Sequence, residues 1–218
     1  MYILGINAYH GDAAAAILKD GELIAAVEEE RFNRKKHCAG FPTEAIRYCL
    51  EAAGISVDQL SHVGISRDPS AHLHKKVLYS VTRLSKLSNL IAARLANAAK
   101  VRNLKDELTS ALGLQTPLKA QFHNVEHHKA HMASCFMVSG FPGSAILSID
   151  GFGDFISTMW GFGEGNRMEI YGQIEYPHST GILYTATTQY LGFPKYGDEG
   201  KVMGLAPYGT PRYMKEFR

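Results

Sequence analysis

Apolar residues in this chain arrive in two rhythms. Near the start they form short runs separated by polar turns, at residues 3–6, 13–18 and 22–30, the last apolar at Leu23, Ile24, Ala25, Ala26 and Val27. Short runs bounded by turn residues predict strands. Asp20-Gly21 between the second and third runs is the dipeptide of a two-residue hairpin. Residues 44–53 then predict a helix, with Thr43 as its cap and Gly54 as its end. A fourth strand follows at 62–66. Across 72–113 the rhythm changes: Leu, Ile, Val and Ala recur at helical spacing among many Lys and Arg, which predicts one or two long helices. Residues 119–125 read as a strand and 127–138 as a helix.

The first rhythm then restarts. Residues 145–149 form an apolar strand, Asp150-Gly-Phe-Gly-Asp154 a glycine-rich turn, 155–163 a strand, Gly165-Asn166 a turn, 168–176 a strand and 180–191 a helix. Ile3-Leu-Gly-Ile-Asn7 with a polar turn to Asp12 matches Ile146-Leu-Ser-Ile-Asp150 with a polar turn to Asp154. A repeat of this length predicts a duplicated lobe rather than a solenoid. Two such lobes facing one another make the α/β actin-like, sugar-kinase-like (ASKHA) architecture, whose cleft binds nucleotide. The expected division is a first lobe over 1–140, with a helical insertion at about 68–118, and the start of a second lobe over 141–218. That second lobe is read as truncated, because further strands and helices would be needed to complete it.

Composition narrows the class without naming it. Of the 218 residues, 45% are hydrophobic and 20% charged, with a formal net charge of +2, as in ordinary globular domains. That balance gives no reason to expect nucleic acid or an anionic membrane as partner. The three cysteines, Cys38, Cys49 and Cys135, make no CxxC pair and read as reduced thiols. With an early polar N-terminus and no spanning apolar run, the expected compartment is the cytoplasm.

Candidate chemistry clusters in a few places. His127 and His131 stand four apart on the predicted helix, so both can face one ion, and neutral imidazoles suit iron, zinc, nickel or copper. A bare HxxxH pair is more often structural. Asp150, ending the next strand, would complete a two-histidine, one-carboxylate set with open positions. His128 lies about 100° around the helix and is read as touching a ligating residue or the substrate. Gly151, Gly153 and Asp154 read as a backbone nest for a nucleotide phosphate, although a plain hairpin turn also favours Asp and Gly. Asp12 and His10, in the equivalent first turn, are candidate general bases. Arg31, Arg34, Lys35, Lys36 and His37 form a basic run where a substrate phosphate could bind. Residues 197–209 are glycine-rich without being a P-loop.

The stretches ILGINAYHGDAAAAILKDGELIAAVEEERFNRKKH, HHKAHMASCF, LSIDGFGD, GILYTATTQYLGF and EGKVMGLAPYG together resemble the O-carbamoyltransferase family, which includes nodulation-factor and antibiotic carbamoyltransferases. The resemblance implies an actin-like domain related to the tRNA threonylcarbamoyl-transfer proteins. It implies carbamoyl transfer from carbamoyl phosphate, through a carbamoyl-adenylate made with ATP, to a hydroxyl of a small-molecule or sugar acceptor. It also implies a separate C-terminal YrdC-like domain that makes the adenylate. The metal, iron by resemblance, would be held by His127, His131, Asp150 and a later aspartate. Asp12 or His10 would deprotonate the acceptor, Gly151, Gly153 and possibly Gly181 would hold nucleotide phosphate, and Arg34 and Lys36 would bind phosphate or acceptor. The family's first motif is commonly HD, where this chain has His10-Gly11-Asp12. Two other readings stay open: an actin-like ATPase or sugar kinase, and an inactive module that only binds nucleotide or a partner.

Overall fold

In the computed structural model, which describes residues 1–82, 103–116 and 118–216, the first rhythm becomes a sheet. Strand β1 (Tyr2–Asn7) buries Leu4 and Ile6 on one face, and β2 (Ala14–Lys19) buries Ala15 and Ile17. This alternation is the period-two pattern of a half-covered sheet. β2 and β3 (Glu22–Glu28) are joined through Asp20 and Gly21, both at positive φ (50° and 92°), with Lys19 opposite Glu22. Two successive positive φ values suit the twist of a tight hairpin, which is why Asp-Gly stands there.

β4 (Leu60–Ile65) lies parallel to β1, and β5 (Gln121–Asn124) parallel to β4. The order is β3-β2-β1-β4-β5, with β2 antiparallel to both its neighbours. That order and those directions are the topology of an actin-like lobe. Leu4, Ile17, Val63 and Ile65 pack beneath Ala45, Ile46, Cys49 and Leu50 of α2 (Thr43–Ala52) and beside Leu104 and Leu108 of α4 (Leu104–Ala111). Each fully buried Leu or Ile contributes about 1.5–3 kcal/mol by transfer from water. Burial also pushes the Cys49 thiol up to about 11, and all three cysteines are free.

The cap of α2 differs from expectation. Thr43 is already inside the helix, and Pro42 before it makes no side-chain cap. The buried carboxylate of Glu29 instead accepts from the Glu44 and Ala45 N–H groups (3.3 and 2.8 Å). Glu29 separates β3, which ends at Glu28 and so two residues short of the strand expected over 22–30, from a one-turn helix, α1 (Glu30–Asn33). The helical reading of 72–113 meets α3 (Leu73–Thr82) and α4 at its ends, while 83–102 lie outside the described residues.

The restart is a second sheet, order β6-β7-β8, of β6 (Gly143–Gly153), β7 (Ile156–Glu164) and β8 (Arg167–Glu175), antiparallel throughout. Met132 and Phe136 of α5 (His127–Phe136) pack on its Ile146, Ile156 and Met159. β6 runs past the expected end at Ile149, with a bulge between Ile149 and Gly153. The turn proper is Asp154-Phe155, both at positive φ. Asp150 therefore sits in a bulged strand and not in a loop. Helices α6 (Thr180–Tyr190) and α7 (Glu199–Leu205) follow. Among the described residues no helix is long and apolar enough to cross a membrane.

Candidate metal centre and cleft

Helix α5 presents two adjacent stripes. His128, Met132 and Phe136, spaced by four, are buried against the second sheet. His127, His131, Ser134 and Cys135, one position around, line an open cleft of about 570 Å³. Glu126 fixes where the helix starts: its carboxylate accepts from the His128 and Lys129 N–H groups (3.1 and 2.8 Å), satisfying donors that have no partner inside the helix. His128 is fully engaged in the core. Its Nδ1 lies 2.8 Å from Ser148 Oγ and its Nε2 2.9 Å from the Ile156 carbonyl. It is a satisfied core histidine turned away from the cleft, so of the two expected roles it does not take the substrate contact, and its ring stands 5.5 Å behind that of His127.

On the cleft stripe, His127 Nε2 lies 2.9 Å from Asp150 Oδ2 and 3.0 Å from His131 Nε2, and His131 Nε2 lies 3.7 Å from the same carboxylate oxygen. With metal–ligand distances of about 2.1 Å, adjacent ligand atoms around one ion stand about 3.0–3.4 Å apart. Two sides of the triangle, 2.9 and 3.0 Å, sit at the short end of that range and the third, 3.7 Å, just beyond it, and the three donors are all within 4.8 Å of one another. One imidazole proton on His127 Nε2 can serve only one of its two close neighbours well. A cation between the three atoms would satisfy all of them, so the donor set fits a transition metal with open positions. Hydrogen bonds from His127 and His131 hold the Asp150 carboxyl well below the usual carboxylate range.

The first sheet supplies the opposite wall, at the carboxyl ends of its parallel strands, where open α/β sheets bind ligands. Asn7, His10 and Asp12 line the cleft with Asp150 and Tyr196. The His10 ring meets His127 edge-on at 5.7 Å, and its buried Nε2 makes no hydrogen bond among the described residues. Burial, then the nearby His127 and Arg67, push His10 down to about 4, so it is a neutral imidazole near pH 7. Asp12, at φ 62°, receives the Asn7 side-chain amide on its carbonyl (2.8 Å) and faces His37 Nδ1 across 2.9 Å.

The expected phosphate nest is not gathered. Gly151 donates its N–H to Asp150 Oδ1 (2.6 Å). A Cβ on Gly153 would lie 2.0 Å from the His127 ring, so that glycine lets the ligand-bearing helix approach the strand. A Cβ on Gly181 would lie 2.6 Å from the Asp150 backbone, so it seats the start of α6 on the bulge. Asp154 is buried: its Oδ2 accepts from the Asp68 and His127 N–H groups (2.7 and 3.2 Å), and Lys76 Nζ is 3.5 Å from its Oδ1. Arg34 and Lys36 line a separate shallow pocket with Glu30 and Arg31. From sequence, neither Tyr196 nor Arg67 is singled out, and His37 is taken only as a member of the basic run. They come from segments far apart in sequence, and no spacing rule links them to Asp12 or His10.

An actin-like lobe and a second sheet that together enclose a two-histidine, one-carboxylate cleft define a class of cleft-binding α/β proteins. Within that class, this chain belongs to the family described as the carbamoyltransferase N-terminus, which it matches over residues 2–217. It is 42% identical over 219 residues to the uncharacterized protein sll1178 of Synechocystis, covering 98% of this chain and 35% of that protein. It is 38% identical over 209 residues to the nodulation protein NolNO of Sinorhizobium fredii, covering 94% and 29%. The chain thus spans about a third of the length of the curated relatives it matches. Among solved structures it is similar to the ROK hexokinase of Thermus thermophilus (13% identity, TM-score 0.46, 99% of this chain and 72% of that one). It is also similar to YeaZ from Pseudomonas aeruginosa (14%, 0.43, 81% and 68%).

Proposed function

We propose that the protein carrying this chain transfers a carbamoyl group from carbamoyl phosphate, through carbamoyl-adenylate made with ATP, to a hydroxyl of a small-molecule or sugar acceptor. The observation that carries the reading is the convergence of His127 Nε2, His131 Nε2 and Asp150 Oδ2 beside Asp12 in one cleft. Family membership supports the carbamoyl chemistry, and the adenylate would be made by a YrdC-like part of the longer protein. His127, His131 and Asp150 would hold the metal, iron by resemblance. When bound, that ion supplies a positive centre that polarises an oxygen of the donor.

The chain's own residues then do the following. Asp12 accepts the proton of the acceptor hydroxyl as its oxygen attacks the carbamoyl carbon. The bond from that carbon to the phosphate oxygen breaks, and AMP leaves with the electron pair. His10, neutral and adjacent to His127, faces the donor as a hydrogen-bonding imidazole and serves as the second candidate base. Arg34 and Lys36 meet an anionic part of donor or acceptor at the flank. Phosphoryl transfer of the kinase type is disfavoured by the donor set, since Mg²⁺ selects oxygen ligands.

The test uses purified full-length protein with carbamoyl phosphate, ATP and a panel of hydroxyl compounds, read by product mass. A carbamoylated product is expected, with Asp12→Asn slowing its formation about 10²–10⁴-fold. A phosphorylated product, or none across the panel with metal-loaded protein, would overturn the reading. Metal analysis of wild type against His127→Ala and His131→Ala tests the ligand assignment separately.

A further inference from the structure

Two loops far apart in sequence meet behind Asp12. The loop after α1 is pinned to the first turn by backbone bonds on both sides: Ala13 N–H donates to the Cys38 carbonyl (2.8 Å) and Tyr9 N–H to the Gly40 carbonyl (3.3 Å). His37, just before Cys38, is thereby carried against Asp12, with Nδ1 2.9 Å from Oδ1. Its own backbone is in the left-handed region (φ 54°), and its N–H donates to Glu30 Oε2 (3.2 Å).

The second loop closes over the ring. Tyr196 packs edge-on against His37 at 5.1 Å. A Cβ on Gly197, itself at φ 83°, would fall 2.4 Å from His37 Nε2, and a Cβ on Gly11 would fall 2.4 Å from the Tyr196 hydroxyl. Both glycines therefore make room for rings. Asp12 and Tyr196 line the cleft, whereas His37 stands behind them. Oδ2 of Asp12 makes no hydrogen bond among the described residues, so the tether engages one carboxylate oxygen and leaves the other for chemistry.

We infer that His37 is a positioning residue that fixes the Asp12 carboxylate in the cleft, with Tyr196 and Gly197 locking its ring. An ordinary exposed His–Asp pair contributes little, because both side chains move. This pair is also partly exposed, 39% at His37 and 46% at Asp12, but the backbone carrying each partner is held by hydrogen bonds, and Tyr196 and Gly197 pack against one side of the ring. With Asp12 as base, the inference rests on the transfer reading above. A base displaced by about 1 Å loses about 10²-fold in rate, whereas the acceptor's other contacts are untouched.

The experiment measures kcat and KM for the acceptor in the full-length protein. His37→Ala is expected to lower kcat about 10²-fold with KM changed less than about threefold. His37→Asn keeps an N–H donor near the Nδ1 position and should recover about tenfold of that loss. In an Asp12→Ala background, His37→Ala should cost nothing further, since two parts of one unit are not additive. The 15N resonances of labelled His37 should report the Nδ1–H tautomer in wild type and lose it in Asp12→Ala. If Asp12→Ala abolishes transfer while His37→Ala does not alter kcat, the positioning role is overturned and the transfer reading survives. If wild type transfers nothing, the transfer reading fails, and the positioning role falls with it because there is no reaction to position Asp12 for. An Nε2–H tautomer, or one indifferent to Asp12, overturns the tether whatever the activity.

Discussion

The two hairpin turns of this chain look alike in sequence and do opposite things. Each follows the first strand of an antiparallel meander, and each carries an aspartate at positive φ, 62° for Asp12 and 47° for Asp154. Asp12 is 46% exposed at its side chain and lines the cleft, while Asp154 is 3% exposed and is not among the residues that line it. The difference comes from what packs on each turn. The first is gripped by a neighbouring loop through backbone bonds, which leaves its carboxylate facing the cleft. The second receives N–H groups from two separate segments, which consume its carboxylate. The donor role in the second turn moves back four residues to Asp150, whose counterpart at the end of β1 is Asn7. A pattern of strand, turn and aspartate thus specifies backbone geometry, while the neighbours decide what the acid is for.

The largest effect expected from this contrast is at Asp150. In the full-length protein, Asp150→Ala should weaken metal retention by more than about a hundredfold, since even groups one shell removed from a metal cost 10–100-fold. Asn7→Ala, its positional counterpart, should leave metal content unchanged. Elemental analysis of the two variants after dialysis reads the result. Stoichiometric metal in Asp150→Ala would mean that the two turns differ less than their geometry indicates.

The next is at Asp154. Replacing it with Ala leaves two backbone donors without their acceptor and Lys76 without its nearby carboxylate. Removing one partner of a buried charged contact costs about 3 kcal/mol. Hydrogen exchange of peptides spanning residues 143–164 should therefore accelerate roughly a hundredfold (1.4 kcal/mol being tenfold, about 3 kcal/mol is somewhat more than that). Unchanged protection would show that the latch is not what holds the second turn.

In the first half, the acid that ties meander to helix is Glu29, through the first N–H groups of α2. Losing a helix cap costs about 0.5–2 kcal/mol. Glu29→Ala should thus raise exchange at the start of α2 about tenfold, less than Asp154→Ala does in the second half. An effect as large as that of Asp154 would mean Glu29 carries a buried-charge role as well.

What was legible in the sequence follows the same division. Period-two runs, the Asp20-Gly21 hairpin, Gly54 at the end of α2 and the helical spacing of His127 and His131 are local, and local rules read them. The three metal-type donors were found because two of them share a helix face and the third ends an apolar run. Glu29 in place of Thr43 as cap, His128 in the core, Asp154 as a latch and His37 behind Asp12 all depend on contacts between segments at least 15 residues apart. In sequence, Gly151, Gly153 and Gly181 read as room for a phosphate. Two of them are room for protein, His127 against Gly153 and the Asp150 backbone against Gly181, while a Cβ on Gly151 would meet nothing within 4 Å. Sequence shows that space is needed, and only packing shows for what.

The smallest expected effect is also the sharpest for the comparison. Asp12→Asn preserves shape, keeps an oxygen for His37 Nδ1–H, and retains a residue type that tolerates positive φ. Among the described residues Asp12 accepts no backbone N–H with its carboxylate, so none is orphaned there when its charge is removed. Its substitution should alter stability by no more than about 0.5 kcal/mol, so exchange in peptides spanning residues 2–19 should stay within about threefold of wild type. The same change at Asp154 removes charge from a buried site that Lys76 approaches, and should be felt. A carboxylate dispensable for folding yet tethered by His37 is one whose role lies in the cleft. If Asp12→Asn instead loosened β1 and β2 as much as the Asp154 change loosens β6 and β7, both acids would be latches and the functional distinction between the turns would disappear.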